Sequence, residues 1–415
     1  MNVLVIGSGG REHAIIDGLS KSKKVTKIYA APGNDGMAPQ AELVDISVMD
    51  KDKLLEFALS HQIDLTVVGP EMALSTGIVD LFKEHGLKIF GPTKSAARIE
   101  TSKEFAKELM MKYHVPTASY QSFKDAAKAL DYVHSHGVPI VIKYDGLAAG
   151  KGVVVAKTME EAENAVKEML VDDVFGSDKV VIEDYLEGPE FSFMCFVDGE
   201  HVYPLELSQD HKRAFDYDEG KNTGGMGAYS PLPFLTEEDK KEAYEKIMVP
   251  VAEGMVKEGC PFSGVLYGGL MKTKDGIKVI EFNCRFGDPE TEVVLPRLTS
   301  DLYDAFMAII NHGKPILTWD KDVYLGIVLA SKGYPEHYEK MHLIMGLDQV
   351  KGKIYYMGVK MKDGRYYTNG GRVMIVVEKG KTVLEARNKA IAEVKKIQCD
   401  NLFYRSDIGH WSIKE

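Results

Sequence analysis

Cysteine is scarce in this 415-residue chain, present only at Cys195, Cys260, Cys284 and Cys399. The four are scattered and form no CxxC pair, which excludes a disulfide framework and argues against a zinc site. Basic residues are outnumbered, 51 Lys and Arg against 62 Asp and Glu, and the net charge of −11 argues against nucleic acid as a bulk partner. A local basic pocket for an anionic metabolite stays compatible with that balance. No apolar run approaches the length that spans a bilayer, and the first residues read as an apolar strand rather than a charged leader with a signal core. Internal repeats and low-complexity segments are missing, as is any Ser/His/Asp or Cys/His arrangement for nucleophilic catalysis. A reduced, cytoplasmic enzyme with no membrane or nucleic-acid partner is expected.

An apolar content of 45% and a charged content of 27% are ordinary for a globular protein, and the length allows two to four domains. Residues 1–100 alternate strands (3–6, 27–30, 65–68, 87–90) with helices (11–20, 51–61, 76–85), a parallel α/β pattern that Gly91 and Pro92 end. Helices are predicted over 101–113, 125–136, 160–170, 237–257 and 301–311, and strands over 180–182, 191–197, 201–207, 262–271 and 276–283. Beyond residue 320 the strands 323–330, 353–360 and 372–378 and the helix 382–396 form a small mixed domain.

Three stretches carry chemistry. In the strand 279–283 alternate side chains share a face, so Val279, Glu281 and Asn283 point one way and Ile280, Phe282 and Cys284 the other. A carboxylate and an amide oxygen on one face suit a hard cation such as Mg²⁺, and Arg285, Asp288 and Glu290 follow at once. A salt-bridged strand end is the alternative. In the second stretch an apolar strand, 140–142, ends at Lys143 and is followed by the Gly- and Ala-rich loop 145–152 with Lys151. Small residues let backbone N–H groups approach phosphate oxygens; the alternative is a flexible hairpin with solvated lysines. No helix-opening Gly-Lys-Ser/Thr is present, so this is not a P-loop. The third is the turn Gly7, Ser8, Gly9, Gly10, Arg11, Glu12. It fails the dinucleotide fingerprint, because Glu12 takes the third glycine's place and no acid follows the second strand. A sugar phosphate at the helix N-terminus is favoured over NAD, with a plain strand-to-helix turn as the alternative. The polar stretch 208–227 is too long and too rich in glycine and charge for a simple connector, and reads either as a functional loop or as a disordered excursion.

Together these motifs resemble the ATP-grasp ligases, and within them the glycinamide ribonucleotide synthetase (phosphoribosylamine–glycine ligase) family of purine synthesis. The resemblance rests on VLVIGSGGREHA (3–14), APGNDG (31–36), DGLAAGKGV (145–153), SQDHKR (208–213), NTGGMGAYSP (222–231), EFNCRFGDPETE (281–292) and TNGGRV (368–373), spread over essentially the whole chain. It implies an α/β (α+β overall) architecture: a parallel α/β pre-ATP-grasp domain over 1–100 that holds the substrate phosphate, a two-lobed ATP-grasp domain over 101–320 with a small mobile lobe at about 121–189, and a mixed α+β domain over 321–415. ATP would lie between the lobes. Lys103 and Lys143 match phosphate-contacting lysines, Gly150, Lys151 and Gly152 the glycine loop, Glu183, Asp184, Tyr185 and Leu186 the adenine hinge, and Glu190 the ribose-binding acid. Arg213, Asn222 and Arg285 fall where the family places nucleotide or substrate contacts, and Glu281 and Asn283 match the ligands of Mg²⁺ or Mn²⁺. Candidate catalytic residues are Lys143, Arg285, Asp210 and Lys212; candidate substrate contacts are Gly9, Gly10, Arg11, Glu12, Asn34, Asp288, Pro289 and Glu290.

Two departures stand out. The core strand 265–271 lacks the further metal-binding acid of many superfamily relatives, and Tyr144 follows Lys143 where a small residue is usual. The implied reaction joins glycine to 5-phosphoribosylamine through a glycyl phosphate, with ATP going to ADP and phosphate, in a monomeric, monofunctional protein. Another ATP-grasp carboxylate–amine ligase or a carboxylase is the rival within the superfamily. A nicotinamide-dependent oxidoreductase and a non-catalytic nucleotide-binding module are rivals outside it.

Overall fold

A computed structural model describes residues 1–146, 152–172, 176 and 179–413. The first hundred residues build a five-stranded parallel sheet whose order is Glu42–Leu43, Lys27–Pro32, Asn2–Gly7, Leu65–Val68, Ile89–Phe90. The order reverses between Asn2–Gly7 and Leu65–Val68. In such sheets the crevice beyond the carboxyl ends of those two strands is where ligands bind. The turn Gly7–Glu12 and the segment Gly69–Glu71 lie there because the chain leaves both strands at that edge.

Two antiparallel four-stranded sheets follow. One runs Tyr120–Phe123, Val180–Asp184, Ile140–Tyr144, Val153–Ala156, and has its own apolar core under the helices Ala126–His136 and Met159–Leu170. The other runs His201–Pro204, Glu190–Asp198, Ser263–Thr273, Gly276–Asn283. A last sheet runs Gln209–Asp210, Gly227–Ser230, Val323–Ser331, Arg372–Gly380, Lys353–Tyr356, with Leu402–Phe403 added to Val323–Ser331. The stretch read as one long polar loop is therefore structured. It lends two short strands to the C-terminal sheet and forms a separate hairpin, Arg213–Phe215 with Glu219–Asn222.

Three elements differ from the sequence reading. The helix predicted over 101–113 breaks at Ser102, whose hydroxyl accepts from the Phe105 amide and starts a fresh helix, Lys103–Lys112. The helix predicted over 237–257 contains a π segment, Tyr244–Met248, ahead of Pro250, which has no N–H to give. The strand predicted over 353–360 is two strands, Lys353–Tyr356 and Val359–Lys362.

Candidate active site

The lobes of the central domain, the carboxyl edge of the parallel sheet and the C-terminal sheet enclose one cavity of about 650 Å³, in the range of small-molecule sites. Its floor is the strand Gly276–Asn283. Glu281 pairs with Gly269 and Val279 with Leu270, which leaves Ile280 as an extra residue in a bulge. The bulge resets the side-chain alternation. Glu281 and Asn283 share the cavity face as expected, but Val279 turns into the core with Phe282 and Cys284, and Ile280 joins the cavity wall. The strict alternation expected for Val279 and Ile280 is thus corrected. The bulge also presents the Ile280 carbonyl, which accepts from Lys143 Nζ at 2.8 Å.

Lys143 is buried and paired to Glu183 Oε1 at 2.9 Å. Glu183 Oε2 takes a second cation, Lys107, at 3.0 Å, and Lys107 also donates to Thr117 Oγ1 (2.8 Å) and the Ala118 carbonyl (3.2 Å). Burial lowers Lys107 to about 8, helped by Lys143 and opposed by Glu183. Lys103 opens the helix Lys103–Lys112, its backbone N–H held by Asp145 Oδ1 at 2.6 Å and its ammonium 3.7 Å from Glu281 Oε2. Burial would raise the Glu281 carboxyl, but Lys103, Lys212, Lys143 and Arg285 hold it down to about 2. Glu281 is thus an ionised carboxylate under the influence of four cations.

The opposite wall comes from the segment after the floor strand. Arg285 is gripped by Glu71 Oε2 (3.3 Å) and Glu100 Oε1 (3.1 Å), and these carboxylates raise its guanidinium further against the effect of burial. Lys212 pairs with Glu190 Oε2 at 3.0 Å, and Glu190 raises it. Asp210 is raised well above the usual carboxylate range by burial and by Glu290, and its Oδ1 has no hydrogen-bond partner. Glu290 Oε1 accepts from Ser192 and Tyr267 hydroxyls at 2.8 Å each. Gly225 leaves space for this group: at φ +113°, a Cβ there would lie 2.5 Å from Asp210 Oδ1 and 2.4 Å from Pro289 Cδ.

At the N-terminal turn, protein carboxylates already occupy two of the N–H groups expected for a phosphate. Glu12 Oε2 accepts from the Gly9 amide at 2.6 Å, and Asp288 Oδ2 accepts from the Arg11 amide at 3.2 Å. The unexpected Glu12 fits because Gly7 and Gly69 have no Cβ; one at Gly69 would lie 1.9 Å from Glu12 Oε1. Arg11 is pinned by Glu12 (2.5 Å) and the Phe286 carbonyl (3.0 Å).

Of the candidate residues, Arg11, Lys103, Lys143, Gly152, Glu183, Asp184, Tyr185, Leu186, Glu190, Asp210, Lys212, Arg213, Asn222, Glu281, Asn283, Arg285, Asp288 and Glu290 line the one cavity. Gly9, Gly10, Glu12, Asn34 and Pro289 do not; the Asn34 amide bonds Ser8 O (2.8 Å), Tyr356 O (3.0 Å) and the Gly36 amide (2.9 Å), tying the first domain to the C-terminal one. Gly150 and Lys151 lie outside the described residues. Sequence reasoning missed Glu71, Glu100, Lys107 and Arg372. Arg372 Nη2 lies 2.8 Å from Asp288 Oδ1, and its Nη1 donates to the Gly224 carbonyl at 2.7 Å. Arg372 was already inside the TNGGRV motif, and Lys107 lies one helical turn beyond Lys103.

The chain matches three family descriptions in succession: Phosphoribosylglycinamide synthetase, N domain, over residues 1–100; its ATP-grasp (A) domain over 101–291; and its C domain over 324–411. It is 53% identical to a phosphoribosylamine–glycine ligase of Halalkalibacterium halodurans, covering 100% of this chain and 98% of the relative. It is 50% identical to one of Streptococcus pneumoniae, covering 100% of both. Among solved structures, the phosphoribosylamine–glycine ligase of Thermotoga maritima superposes with a TM-score of 0.87 at 33% identity, over 99% of this chain and 100% of that one. A biotin carboxylase–ATP complex from Campylobacter jejuni shares the fold at TM-score 0.75 and 14% identity, over 97% of this chain and 92% of that one.

Proposed function

The chain belongs to the phosphoribosylglycinamide synthetase family, and we propose that its cavity joins glycine to 5-phosphoribosylamine through a glycyl phosphate, with the residue roles set out below. The chain is an ATP-dependent carbon–nitrogen ligase of purine biosynthesis. The observation that carries the residue assignment is the convergence of Lys103, Lys143, Lys212 and Arg285 on Glu281 in one cavity.

A carboxylate resists amine attack until one oxygen becomes a good leaving group. The glycine carboxylate attacks the γ-phosphorus of ATP and ADP leaves. The sugar amine then attacks the acyl carbon of glycyl phosphate, inorganic phosphate leaves, and the amine gives up a proton. Alignment and charge neutralisation carry such a transfer, with no protein nucleophile required. Lys103 and Lys143 contact the phosphates, and Lys212 and Arg285 orient the acid and its developing phosphate. The hinge Glu183–Leu186 meets adenine, Glu190 the ribose, and Arg213 and Asn222 the nucleotide. Arg11, Asp288 and Glu290 face the phosphoribosylamine. Domain 1–100 holds the sugar phosphate, 101–320 the nucleotide with its small lobe at about 121–189, and 321–415 closes the cavity.

Glu281 and Asn283 are the oxygen ligands that fit Mg²⁺ or Mn²⁺. Among the described residues no cluster of three His, Cys, Asp or Glu exists to hold a metal. Two protein oxygens beside a phosphate site suit an ion that completes its shell with phosphate and water. Such an ion supplies further neutralisation of phosphate charge when bound. No helix among the described residues is long and apolar enough to cross a membrane, and the four free cysteines suit a reducing cytoplasm. We read the protein as a monomer.

The test uses glycine labelled with ¹⁸O in its carboxylate, phosphoribosylamine generated in place, and mass analysis of the released phosphate. One labelled oxygen per phosphate is expected. Unlabelled phosphate with stoichiometric amide product would sink the acyl-phosphate route.

A further inference from the structure

The hairpin Arg213–Phe215 with Glu219–Asn222 carries Arg213 and Asn222 into the cavity, yet it belongs to no larger sheet. A two-stranded hairpin is marginal on its own, and this one is poorly built. Its register slips between Arg213 and Phe215, its tip is exposed, and Tyr217 and Asp218 sit at φ 60° and 56°, left-handed values that cost a non-glycine residue energy. Something outside the hairpin must hold it.

That support is the segment 405–412. Arg405 is fully buried. Its Nη1 donates to the Arg213 carbonyl (3.1 Å) and to Asp218 Oδ1 (3.0 Å), while Nε and Nη2 form a fork on Asp407 at 2.8 Å each. Asp407 Oδ2 then accepts from the Tyr217 amide at 2.9 Å, one of the two left-handed residues. The Ser406 amide donates to Asp216 Oδ1 at 2.8 Å, and its hydroxyl bonds the same carboxylate. Downstream, the Gly409 amide donates to His211 Nε2 at 3.0 Å, fixing the residue two positions before Arg213. A flat guanidinium fork can make these bonds at once, whereas an ammonium cannot.

We propose that Arg405 is a positioning residue for the nucleotide: through Asp407 and Asp218 it clamps the hairpin so that Arg213 and Asn222 are set for ATP before ATP arrives. The inference rests on the reading that Arg213 and Asn222 contact the nucleotide. Without the clamp the hairpin must be ordered at the expense of binding energy, so ATP affinity falls while the chemical step, once ATP is seated, stays as it was.

The test is steady-state kinetics on full-length Arg405→Lys, Asp216→Ala and Arg213→Ala, with amide hydrogen exchange read over residues 213–222. Arg405→Lys should raise the KM for ATP about ten-fold, equivalent to about 1.4 kcal/mol, with kcat and the KM for glycine within about two-fold on the same reasoning. Exchange in 213–222 should quicken and be restored by saturating ATP. Asp216→Ala removes only the surface bonds from Ser406 and should move ATP KM and exchange the same way, less far. It keeps the proposal testable if Arg405→Lys does not fold. Arg213→Ala tests the underlying reading. A raised ATP KM in Arg213→Ala, with an unchanged one in the two clamp variants, overturns the clamp and leaves the reading standing. An unchanged ATP KM in Arg213→Ala overturns the reading and the clamp with it. A fall in kcat equal to the rise in KM would mark a structural defect and also refute positioning.

Discussion

Glu183→Gln should be among the most damaging single-atom changes to the stability of this protein, and Lys107→Met, which removes one of the partners of Glu183, should be nearly harmless. Two ammonium groups, Lys107 at 3.0 Å and Lys143 at 2.9 Å, share the one Glu183 carboxylate in a buried site. Replacing the carboxylate by an amide removes the ion-pair partner of both ammonium groups, leaving Lys143 only the longer-range field of Glu281 and Lys107 that of Asp184. Breaking one buried pair costs about 3–5 kcal/mol, which for a unit of this kind lowers Tm by roughly 6–20 °C. Removing Lys107 instead leaves a neutral pair, Glu183 with Lys143. The drop of Lys107 from 10.5 to about 8 means that its protonated form is disfavoured by roughly 3 kcal/mol at neutral pH. Lys107→Met removes that cost and loses the bonds to Thr117 and Ala118, worth about 1–3 kcal/mol each when left unsatisfied. The two terms nearly cancel.

The pH dependence separates this account from simple loss of packing. Below pH 8 Lys107 is protonated folded and unfolded, and the fold bears the full penalty. Between about 8 and 10.5 it is neutral when folded and still protonated when unfolded, so it adds stability as pH rises. Thermal melts of wild type, Glu183→Gln and Lys107→Met at pH 7, 8, 9 and 10 give the answer. The Glu183→Gln deficit should shrink toward pH 10, as Lys107 sheds its proton, and Lys107→Met should lack the Lys107 contribution to the pH slope. Equal losses in both variants, with parallel pH curves, would refute the reasoning.

Other consequences are directly measurable. Glu281→Gln should cut kcat at least about 100-fold with an unchanged far-UV spectrum; near-normal turnover at ordinary Mg²⁺ would remove its assigned role. His13 is buried, its Nδ1 accepting from the Tyr356 amide at 2.9 Å, and burial lowers it to about 4. The unfolded chain therefore binds a proton that the folded chain refuses between pH 6.5 and 4, removing about 3 kcal/mol over that window. His13→Gln should flatten the urea-stability curve there by about one proton, and an unchanged slope would exclude His13 as its source. Gly225→Ala should abolish ligation, because its Cβ would lie 2.5 Å from Asp210 Oδ1 at a φ that alanine avoids; unaltered kinetics would show that this wall can yield.

What was legible in the sequence was local. The glycine turn, the lysine-ended strand and the Glu281–Asn283 pair each follow from a few adjacent residues; the last two line the cavity, and the turn reaches it only through Arg11. What was hidden depended on partners far away in sequence. The bulge at Ile280 is set by pairing with Gly269 and Leu270, so the alternation rule failed at Val279 although the residue types were read correctly. Glu71 and Glu100 look like surface acids until Arg285, some 200 positions on, lies against them. Lys107 was the nearest miss. It follows Lys103 by four residues on one helix, so the two lie on one face a turn apart, and a lysine at 2% exposure is almost never found without a partner. The stretch 208–227 looked like a loop because its strands are only two to four residues long, too short to show a period.

The acids in this cavity explain how a chain with a net charge of −11 can serve a polyanionic substrate. Among the described residues, five of the cations that line the cavity are already matched: Lys143 by Glu183, Lys212 by Glu190, Lys103 by Glu281, Arg285 by Glu71 and Glu100, Arg372 by Asp288. Without that pairing, so many cations in a partly dry site would repel one another and shed protons. With it, they are rigid and charged before the ligand arrives, which is what transition-state stabilisation by preorganised charge requires. The arrangement limits ground-state binding, since a phosphate must share each cation with a carboxylate. It favours states in which negative charge is greatest, and in acyl-phosphate formation that is the transferring phosphoryl group rather than bound glycine. The pairing spans three parts of the chain: Glu71 and Glu100 come from the first hundred residues, Glu183, Glu190, Glu281 and Asp288 from the central domain, and Arg372 from the C-terminal sheet. The cation array is therefore complete only when all three domains are docked, so ATP should be a poor ligand for any one of them alone.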